Sequence, residues 1–240
     1  MKRRTLLLGG GVLAVAGFAG YRVLSTRRAL RGSAVIAGVS SGRFGAESTA
    51  EQVTEGLNLT DKTVLVTGST SGLGLETMRV LALRGAHVIG TGRTKDKSAA
   101  AMQGLAGRLT PVALDLTDFD SVVACAETVH SISGTLDIVI CNAGIMALPE
   151  LEQVNGLEKQ FVTNHLGHFL LVNRLLPQIM EAPQGRVVTV SSLGYRWAPP
   201  EGIEFDNLSG ERGYDPNKMY GQSKLANGLF SLELARRLKI

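Results

Sequence analysis

The middle of the chain alternates between short runs of β-branched residues and longer stretches of helix-forming residues. Thr63–Val66 is a β-branched run and predicts a buried strand. A glycine-rich segment follows it, and Leu75–Arg84 then has the composition and length of a helix. His87–Gly90 predicts the next strand. This order of strand, turn, helix and strand predicts a βαβ unit with two parallel strands.

Three further apolar runs predict that the same sheet continues. The third predicted strand ends in Val112–Leu116, the fourth is Asp137–Ile140 and the fifth is Arg186–Val190. Helical segments separate these strands, which favours parallel strands covered by helices on both faces. We therefore predict a Rossmann-like, doubly wound parallel sheet in a three-layer α/β/α sandwich.

A basic and apolar segment precedes this predicted domain. A Lys-Arg-Arg run at 2–4 comes before an apolar run over 5–24, near the ~20 residues that span a bilayer. Three interpretations fit: an uncleaved membrane anchor, which we prefer, an export signal with a twin-arginine-like start, or the N-terminal helix of a cytoplasmic protein. We predict a signal or anchor at 1–31, a Gly- and Ser-rich linker at 32–56 and the folded domain at 57–240.

The distribution of charge changes how the net charge of +4 is interpreted. Seven of the 25 basic residues and none of the 21 acidic residues lie in 1–31, so the rest of the chain is slightly acidic. A nucleic-acid-binding domain needs a basic stripe on its folded part. The sequence has none, so we predict no nucleic-acid partner. The two cysteines and four histidines lack metal-ligand spacing, and we predict no metal.

The segment after the first predicted strand carries the strongest local signal of chemistry. Gly68, Gly72 and Gly74 are spaced Gly-x-x-x-Gly-x-Gly. Gly68 permits the sharp turn, Gly72 lets the backbone approach a phosphate, and Gly74 lets the helix pack closely on the strand. Such a turn between a strand and a helix places a pyrophosphate on the helix N-terminus. The segment predicts a dinucleotide site, although this spacing alone also fits a plain tight turn.

The end of the second predicted strand distinguishes NADP from NAD. An acid there would hydrogen-bond the ribose 2′-hydroxyl of NAD. Gly92 and Arg93 follow this strand instead, with Lys95 nearby and no acid before Asp96. Because an arginine can pair with a 2′-phosphate, Arg93 favours NADP, with NAD as the weaker alternative. The other interpretation of Arg93 is a solvated loop charge.

The motifs that follow occur in the order found in short-chain dehydrogenases/reductases, and residues 57–240 resemble that family. Thr67–Gly74 is similar to the family's cofactor turn, and Cys141–Gly144 to its Asn-Asn-Ala-Gly motif, with cysteine in place of the first Asn. The resemblance implies that the cofactor contacts Gly68, Ser71, Gly72, Leu73, Gly74, Arg93, Asp115, Leu116, Asn142, Ala143, Gly144, Tyr220 and Lys224.

The family's catalytic motifs also have counterparts. Asn164 lies on the helix predicted after the fourth strand, Ser192 follows the fifth strand, and Tyr220 and Lys224 form Tyr-x-x-x-Lys. The resemblance implies that these four residues are catalytic, and that the protein interconverts an alcohol and a carbonyl by NADP-dependent hydride transfer. It also implies that Asn164 holds a water in a proton relay, and that Ser192 rather than Ser191 acts on the substrate oxygen.

Elementary chemistry agrees with these roles. Residues four apart share one face of a helix, so Tyr220 and Lys224 are expected to be neighbours. A free tyrosine phenol has a pKa of ~10, and a nearby ammonium lowers such a pKa. A phenol tuned in this way can exchange a proton with an alkoxide. A serine hydroxyl beside it can polarise the carbonyl oxygen.

The segment between Ser192 and Tyr220 narrows the resemblance. Its length, its Trp-Ala-Pro-Pro run from Trp197 and the Asn at position 227 are similar to the retinol-dehydrogenase and WW-domain-oxidoreductase-like branch. That branch implies apolar small-molecule substrates, retinoid-like or steroid-like, and agrees with membrane association through 5–24. The family also implies a homodimer that pairs through the helices carrying Asn164 and Tyr220.

The sequence ends near the end of the helix predicted around Tyr220, where family members continue through another helix and two strands. We therefore expect a C-terminally truncated domain that lacks the family's last strands. Two alternatives to an active enzyme of this kind stay open. One is a catalytically silent NADP-binding protein or inactive fragment. The other is a sugar-nucleotide epimerase or dehydratase, which also uses Tyr-x-x-x-Lys.

Overall fold

The computed structural model describes residues 42–45 and 47–238. The predicted anchor at 1–31 and the first part of the predicted linker lie outside these residues. The chain from Thr49 onward is one compact unit, and the short described stretch before it contains a turn closed by Ser48 N and Gly45 O. Among the residues described, no helix is both long enough and apolar enough to cross a bilayer.

Strands and helices alternate along the compact unit. The strands are β1 (Thr63–Val66), β2 (His87–Gly92), β3 (Arg108–Ala113), β4 (Ile138–Cys141), β5 (Gln153–Val154), β6 (Leu157–Glu158) and β7 (Arg186–Thr189). The α-helices are α1 (Ala50–Val53), α2 (Gly72–Leu83), α3 (Lys95–Met102), α4 (Phe119–Ile132), α5 (Lys159–Phe161), α6 (Gly167–Met180) and α7 (Pro216–Leu238). A π-helical turn at Val162–Leu166 joins α5 to α6, and 3₁₀ turns occupy Leu193–Trp197 and Phe205–Asn207.

Five of the strands form one parallel sheet in the order β3-β2-β1-β4-β7. The central strand β1 sets the register, with Leu65 opposite Ile89 of β2 and Val139 of β4. Strands β5 and β6 form a separate antiparallel hairpin. The predicted Rossmann-like α/β fold is confirmed. The strand order reverses between β1 and β4, which is where ligands bind in sheets of this kind.

The alternation of side chains along β1 divides the core into two layers. Leu65 belongs to the cluster formed with α4 and α6, whereas Val64 and Val66 belong to the cluster formed with α2. All three side chains are fully buried. Successive strand residues point to opposite faces, so a run of three buried residues requires helices on both sides of the sheet.

Several elements have boundaries that differ from those predicted. Helix α2 begins at Gly72, three residues before the predicted start, because the glycine turn is shorter than its composition suggests. Strand β2 extends to Gly92, which pairs with Ala113. Strand β3 ends at that pair, so Leu114–Leu116 lie beyond the strand and not within it. Helix α1 forms within the predicted linker, where Thr49 starts it with a capping box.

Candidate active site

An open groove of about 560 Å³ runs along the carboxyl ends of β1, β2, β3 and β4. Eight residues predicted to contact a cofactor line it: Gly68, Ser71, Arg93, Asp115, Leu116, Asn142, Ala143 and Gly144. The prediction missed other lining residues, among them Thr70, Thr91, Lys97, Thr117, Ile145, Lys159 and Thr163. Most of these lie within a few residues of a strand end, a position that could have indicated them.

The glycine turn after β1 is compact because its glycines approach other backbone atoms. Gly68 has a φ of +64°, and a Cβ there would lie 2.9 Å from Ala143. A Cβ on Gly74 would lie 2.3 Å from the Gly68 carbonyl oxygen. By contrast, Gly72 has a φ of +56°, and a Cβ there would meet nothing within 4 Å. The turn is therefore closed against the segment that follows β4 on one side and open at the start of α2.

The N-terminus of α2 offers unpaired amides beside the groove. The Ser71 side chain makes no capping hydrogen bond, and the first turn of the helix has no acidic residue. Gly72, Leu73 and Gly74, which are also predicted contacts, form this first turn directly after Ser71. The first amides of a helix have no partner within it and carry a partial positive charge. An anionic group at this end of the groove would therefore be stabilised.

Thr67, at the end of β1, holds the opposite wall of the groove in place. Its Oγ1 accepts hydrogen bonds from the amides of Asn142 and Ala143, at 2.9 and 3.0 Å. The Asn142 Nδ2 donates in turn to the Thr67 carbonyl oxygen, 2.9 Å away. The sequence pattern indicated Thr67 only as the first residue of the turn motif, without a role of its own.

Asn164 lies fully buried in the π-helical turn between α5 and α6. The turn is widened because the Gly167 amide donates to Val162, five residues earlier. The Asn164 Oδ1 accepts from the Ile145 amide at 2.8 Å, and its Nδ2 donates to the Ile145 carbonyl oxygen at 2.9 Å. The Asn164 side chain therefore binds directly to the groove wall that follows β4. Wide turns of this kind are frequent at functional sites.

Tyr220 and Lys224 lie one turn apart on α7, and both are buried. The Lys224 Nζ donates to the Val190 carbonyl oxygen at 3.0 Å. A Cβ on Gly144 would lie 3.5 Å from this Nζ and 3.1 Å from the Asn164 Oδ1. Burial lowers the pKa of Lys224 from its usual range. The structure thus brings Lys224 and Asn164 together at the Gly144 end of the groove.

The two serines after β7 have different partners. The Ser191 Oγ donates to the Lys224 carbonyl oxygen at 2.8 Å, so its proton is used to join β7 to α7. The Ser192 Oγ instead accepts from the Gly194 amide at 3.1 Å, which leaves its own proton available to another acceptor. The 3₁₀ turn that Ser192 begins packs on Tyr220, where Trp197 and Tyr220 have ring centroids 6.1 Å apart.

Comparison with protein families and curated proteins gives consistent results. The family model described as short chain dehydrogenase matches residues 62–202. Short-chain dehydrogenase TIC 32 A, chloroplastic, of Brassica napus is 40% identical over 206 residues, covering 82% of this chain and 64% of that protein. Retinol dehydrogenase 11 of Mus musculus is 40% identical over 191 residues, covering 78% and 60%.

Solved structures share the fold over most of the described chain. A structure of an uncharacterised protein from Mycobacterium paratuberculosis has 42% identity and a TM-score of 0.68, covering 76% of this chain and 65% of that one. The RhlG/NADP active-site complex of Pseudomonas aeruginosa has 25% identity and a TM-score of 0.58, covering 76% and 68%. The chain spans 64% of the Brassica napus protein and 60% of the mouse retinol dehydrogenase.

Proposed function

The chain belongs to the short-chain dehydrogenase/reductase family, in its retinol-dehydrogenase-like branch, and from that premise we propose that it is an NADP-dependent oxidoreductase. The proposed reaction interconverts an alcohol and a carbonyl by hydride transfer. One observation carries it. The groove along the strand ends includes Gly144, beside which the Lys224 ammonium and the Asn164 side chain converge.

The residues of the groove fit a dinucleotide. The uncapped start of α2 would receive the pyrophosphate, since its amides are open and no acid opposes an anion there. Asp115 lies two residues beyond the end of β3. Thr117 fixes one of its carboxylate oxygens through its amide and hydroxyl and leaves the other for an adenine amino group. Asn142–Gly144 would form the wall for the nicotinamide half. When bound, the nicotinamide supplies or accepts the hydride.

Two cations favour NADP over NAD. Arg93 and Lys97 both line the groove beyond β2, where an NAD-binding protein would present an acid to the ribose. An arginine and a lysine there would pair with a 2′-phosphate through charge-assisted hydrogen bonds. The Pseudomonas aeruginosa structure is a complex with NADP, which agrees with this choice.

The catalytic roles follow from which protons are available. The phenol of Tyr220 would give its proton to the substrate oxygen in reduction and take it back in oxidation. The Ser192 hydroxyl, whose proton is not used by its neighbours, would donate to the same oxygen. The Lys224 ammonium would stabilise the deprotonated phenol and hold the nicotinamide ribose. Asn164 would fix the Ile145 carbonyl, against which a relay water can bind.

We propose an apolar substrate, retinoid-like or steroid-like. Leu193, Tyr195 and Trp197 follow Ser192 and are exposed, as is Met146 at the end of the groove wall. Exposed apolar side chains close in sequence to Ser192 and to the groove wall favour an apolar alcohol or aldehyde over a sugar. The mouse relative is named a retinol dehydrogenase, which agrees with this class.

We also propose membrane association through 5–24 and a homodimer. The first rests on the apolar run in the sequence. The second rests on apolar side chains at the surface of α6 and α7, where the exposed Phe169 meets the half-buried Phe230 in a tilted contact with centroids 5.2 Å apart and Leu232 is 70% exposed. Sedimentation with vesicles and light scattering would test these two proposals separately.

The cofactor proposal is tested by titrating NADPH and NADH into the 240-residue chain and following fluorescence. Arg93→Ala should weaken NADPH binding about 10- to 100-fold, because a charge-assisted contact is worth roughly 1.5–3 kcal/mol. NADH binding should not change. Lys95→Ala is the matched control, since it removes the same charge from a residue that does not line the groove.

Activity is then measured with NADPH and a panel of aldehydes that includes retinaldehyde. Turnover of apolar aldehydes supports the proposed reaction and substrate class. NADPH binding without turnover of any carbonyl would instead favour a catalytically silent NADP-binding protein. A folded chain that binds neither nucleotide would refute the proposal.

A further inference from the structure

One buried histidine connects the cofactor wall to the π-helical turn. The His168 Nε2 lies 2.8 Å from the Thr67 Oγ1, and its Nδ1 lies 3.0 Å from the Asn164 carbonyl oxygen. The side chain is only 2% exposed. The ring therefore bridges Thr67 and Asn164. Thr67 holds the amides of Asn142 and Ala143, and the Asn164 side chain holds Ile145.

The partners of the ring determine which nitrogen carries the proton. A carbonyl oxygen can only accept, so the Nδ1 facing Asn164 must be the donor. The Thr67 Oγ1 already accepts from two amides, and its own proton has the Nε2 at 2.8 Å as a nearer acceptor than the Ile140 carbonyl oxygen at 3.4 Å. The Asn164 carbonyl requires hydrogen on Nδ1 and the Thr67 hydroxyl requires an Nε2 without hydrogen, so the two partners together indicate a neutral ring with hydrogen on Nδ1 alone. Full burial agrees with this state, because it lowers the pKa of His168 to about 4.

We propose that His168 is a positioning residue that sets the Asn164 turn relative to the cofactor wall. Through Nδ1–H it fixes the backbone of the π-helical turn, and through Nε2 it orients the Thr67 hydroxyl. The inference rests on the proposed function, because it assigns His168 a part in aligning Asn164 with a bound nucleotide. His168 touches neither substrate nor cofactor in this assignment.

The proton assignment can be tested without any ligand. Nitrogen-15 spectra of the histidine rings in the 240-residue chain should show one ring that is neutral at neutral pH with hydrogen on Nδ1. His168→Asn identifies its signals by their loss. A ring with hydrogen on Nε2, or a ring that carries both protons at neutral pH, would overturn the proposal.

Two amide variants separate the two halves of the bridge. In His168→Asn the shorter amide can still donate to the Asn164 carbonyl but no longer reaches Thr67. In His168→Gln the longer amide can accept from Thr67 but leaves the Asn164 carbonyl without its donor. His168→Asn should therefore shift the backbone amide signals of Asn142 and Ala143, which donate to Thr67. His168→Gln should shift that of Ile145, which donates to the Asn164 Oδ1.

Kinetics of the same variants distinguish positioning from general stabilisation. His168→Gln should lower kcat about 10- to 100-fold, in line with the cost of a misplaced catalytic group, and should affect NADPH affinity less than His168→Asn does. His130→Gln and His130→Asn serve as controls, because His130 is exposed on α4. The proposal would be overturned if both variants lowered only the melting temperature. Their amide signals, kcat and NADPH affinity would then equal those of the wild type.

The proposed function and this inference can fail separately. If the wild-type chain binds no nucleotide, the proposed function fails. The ring tautomer and the two patterns of amide shifts would then still decide whether His168 bridges Thr67 and Asn164. If nucleotide binds but both variants shift the same amides, the bridge is wrong and the proposed function stands.

Discussion

The Lys224 ammonium lies 5.6 Å from the centre of the Tyr220 ring, one turn further along α7. Gly194 packs closely on the same ring, because a Cβ on Gly194 would lie 2.7 Å from the Tyr220 Cε1. This arrangement agrees with the proposed part of the pair in proton exchange with a substrate oxygen.

Tyr220→Phe should remove most of the activity while preserving the fold. The variant keeps the ring that packs on Gly194 and Trp197 and loses only the hydroxyl. General acid–base catalysis contributes about 10²–10⁴-fold, so kcat should fall by that order. NADPH affinity, measured by fluorescence, should stay close to that of the wild type. Tyr214→Phe is the matched control, since the Tyr214 hydroxyl donates to the Leu148 carbonyl oxygen and has no part in the proposed reaction. A Tyr220→Phe variant with more than half of the wild-type kcat would contradict the assignment.

The sequence predicted those parts of the molecule that depend on local pattern. Strand β1 has the predicted bounds, because a β-branched run between polar residues defines both of its ends. The π-helical turn at Asn164 could not be predicted, since a change from four-residue to five-residue hydrogen bonding leaves no mark in composition. The bridge between Thr67 and His168 joins residues 101 positions apart, and only the packed structure brings them together.

The choice between Ser191 and Ser192 shows the same limit. Both serines follow the same predicted strand, and the choice rested on resemblance alone. The structure adds a physical difference, because the Ser191 proton is used in a hydrogen bond to α7 and the Ser192 proton is not. The difference depends on the direction in which each serine side chain points after the end of β7. A sequence pattern does not encode that direction.

Two glycines of α7 should respond in opposite ways to substitution by alanine. A Cβ on Gly228 would meet nothing within 4 Å, so Gly228→Ala should raise the free energy of unfolding by about 0.5–1 kcal/mol. A Cβ on Gly221 would lie 2.5 Å from the Ala198 amide nitrogen, so Gly221→Ala should lower it by about 1–3 kcal/mol. Urea unfolding measures both values.

The same two glycine variants also test whether the packing of the 3₁₀ turn on α7 affects activity. Gly221 lets the 3₁₀ turn at Leu193–Trp197 lie against α7 beside Tyr220. Gly221→Ala should push this turn away and lower kcat, whereas Gly228→Ala should not affect it. Equal changes of stability in the two variants would show that the approach of the turn to α7 is looser than described.

Neither cysteine should react in the native protein. Burial raises the pKa of the Cys125 and Cys141 thiols to about 12 each, so the reactive thiolate is scarce at neutral pH. Iodoacetamide followed by mass spectrometry should find no alkylated cysteine in the folded chain and two in urea. Rapid labelling of Cys141 in the native state would mean that β4 opens, since this residue ends that strand.

Acid should destabilise the protein partly through His168. Its pKa is lowered to about 4 in the folded chain, against about 6.5 for an unperturbed histidine. Between these values the unfolded chain binds the proton more readily than the folded chain. The contribution is therefore fully present above about pH 6.5 and is lost as the pH falls toward 4. Burial lowers the pKa of His165 and His87 as well, so these two act in the same direction.

Urea unfolding of the wild type and of His168→Gln at a series of pH values isolates this contribution. One histidine changes the free energy of unfolding by at most about 1.4 kcal/mol per pH unit, and the slope should be smaller in the variant by up to that amount. The carboxylates and the other histidines are common to both proteins, so their contributions cancel in the difference. Parallel pH profiles would mean that the His168 ring takes up a proton as readily in the folded chain as in the unfolded one. That result would contradict both its neutral state and the hydrogen bond that its Nε2 accepts from Thr67.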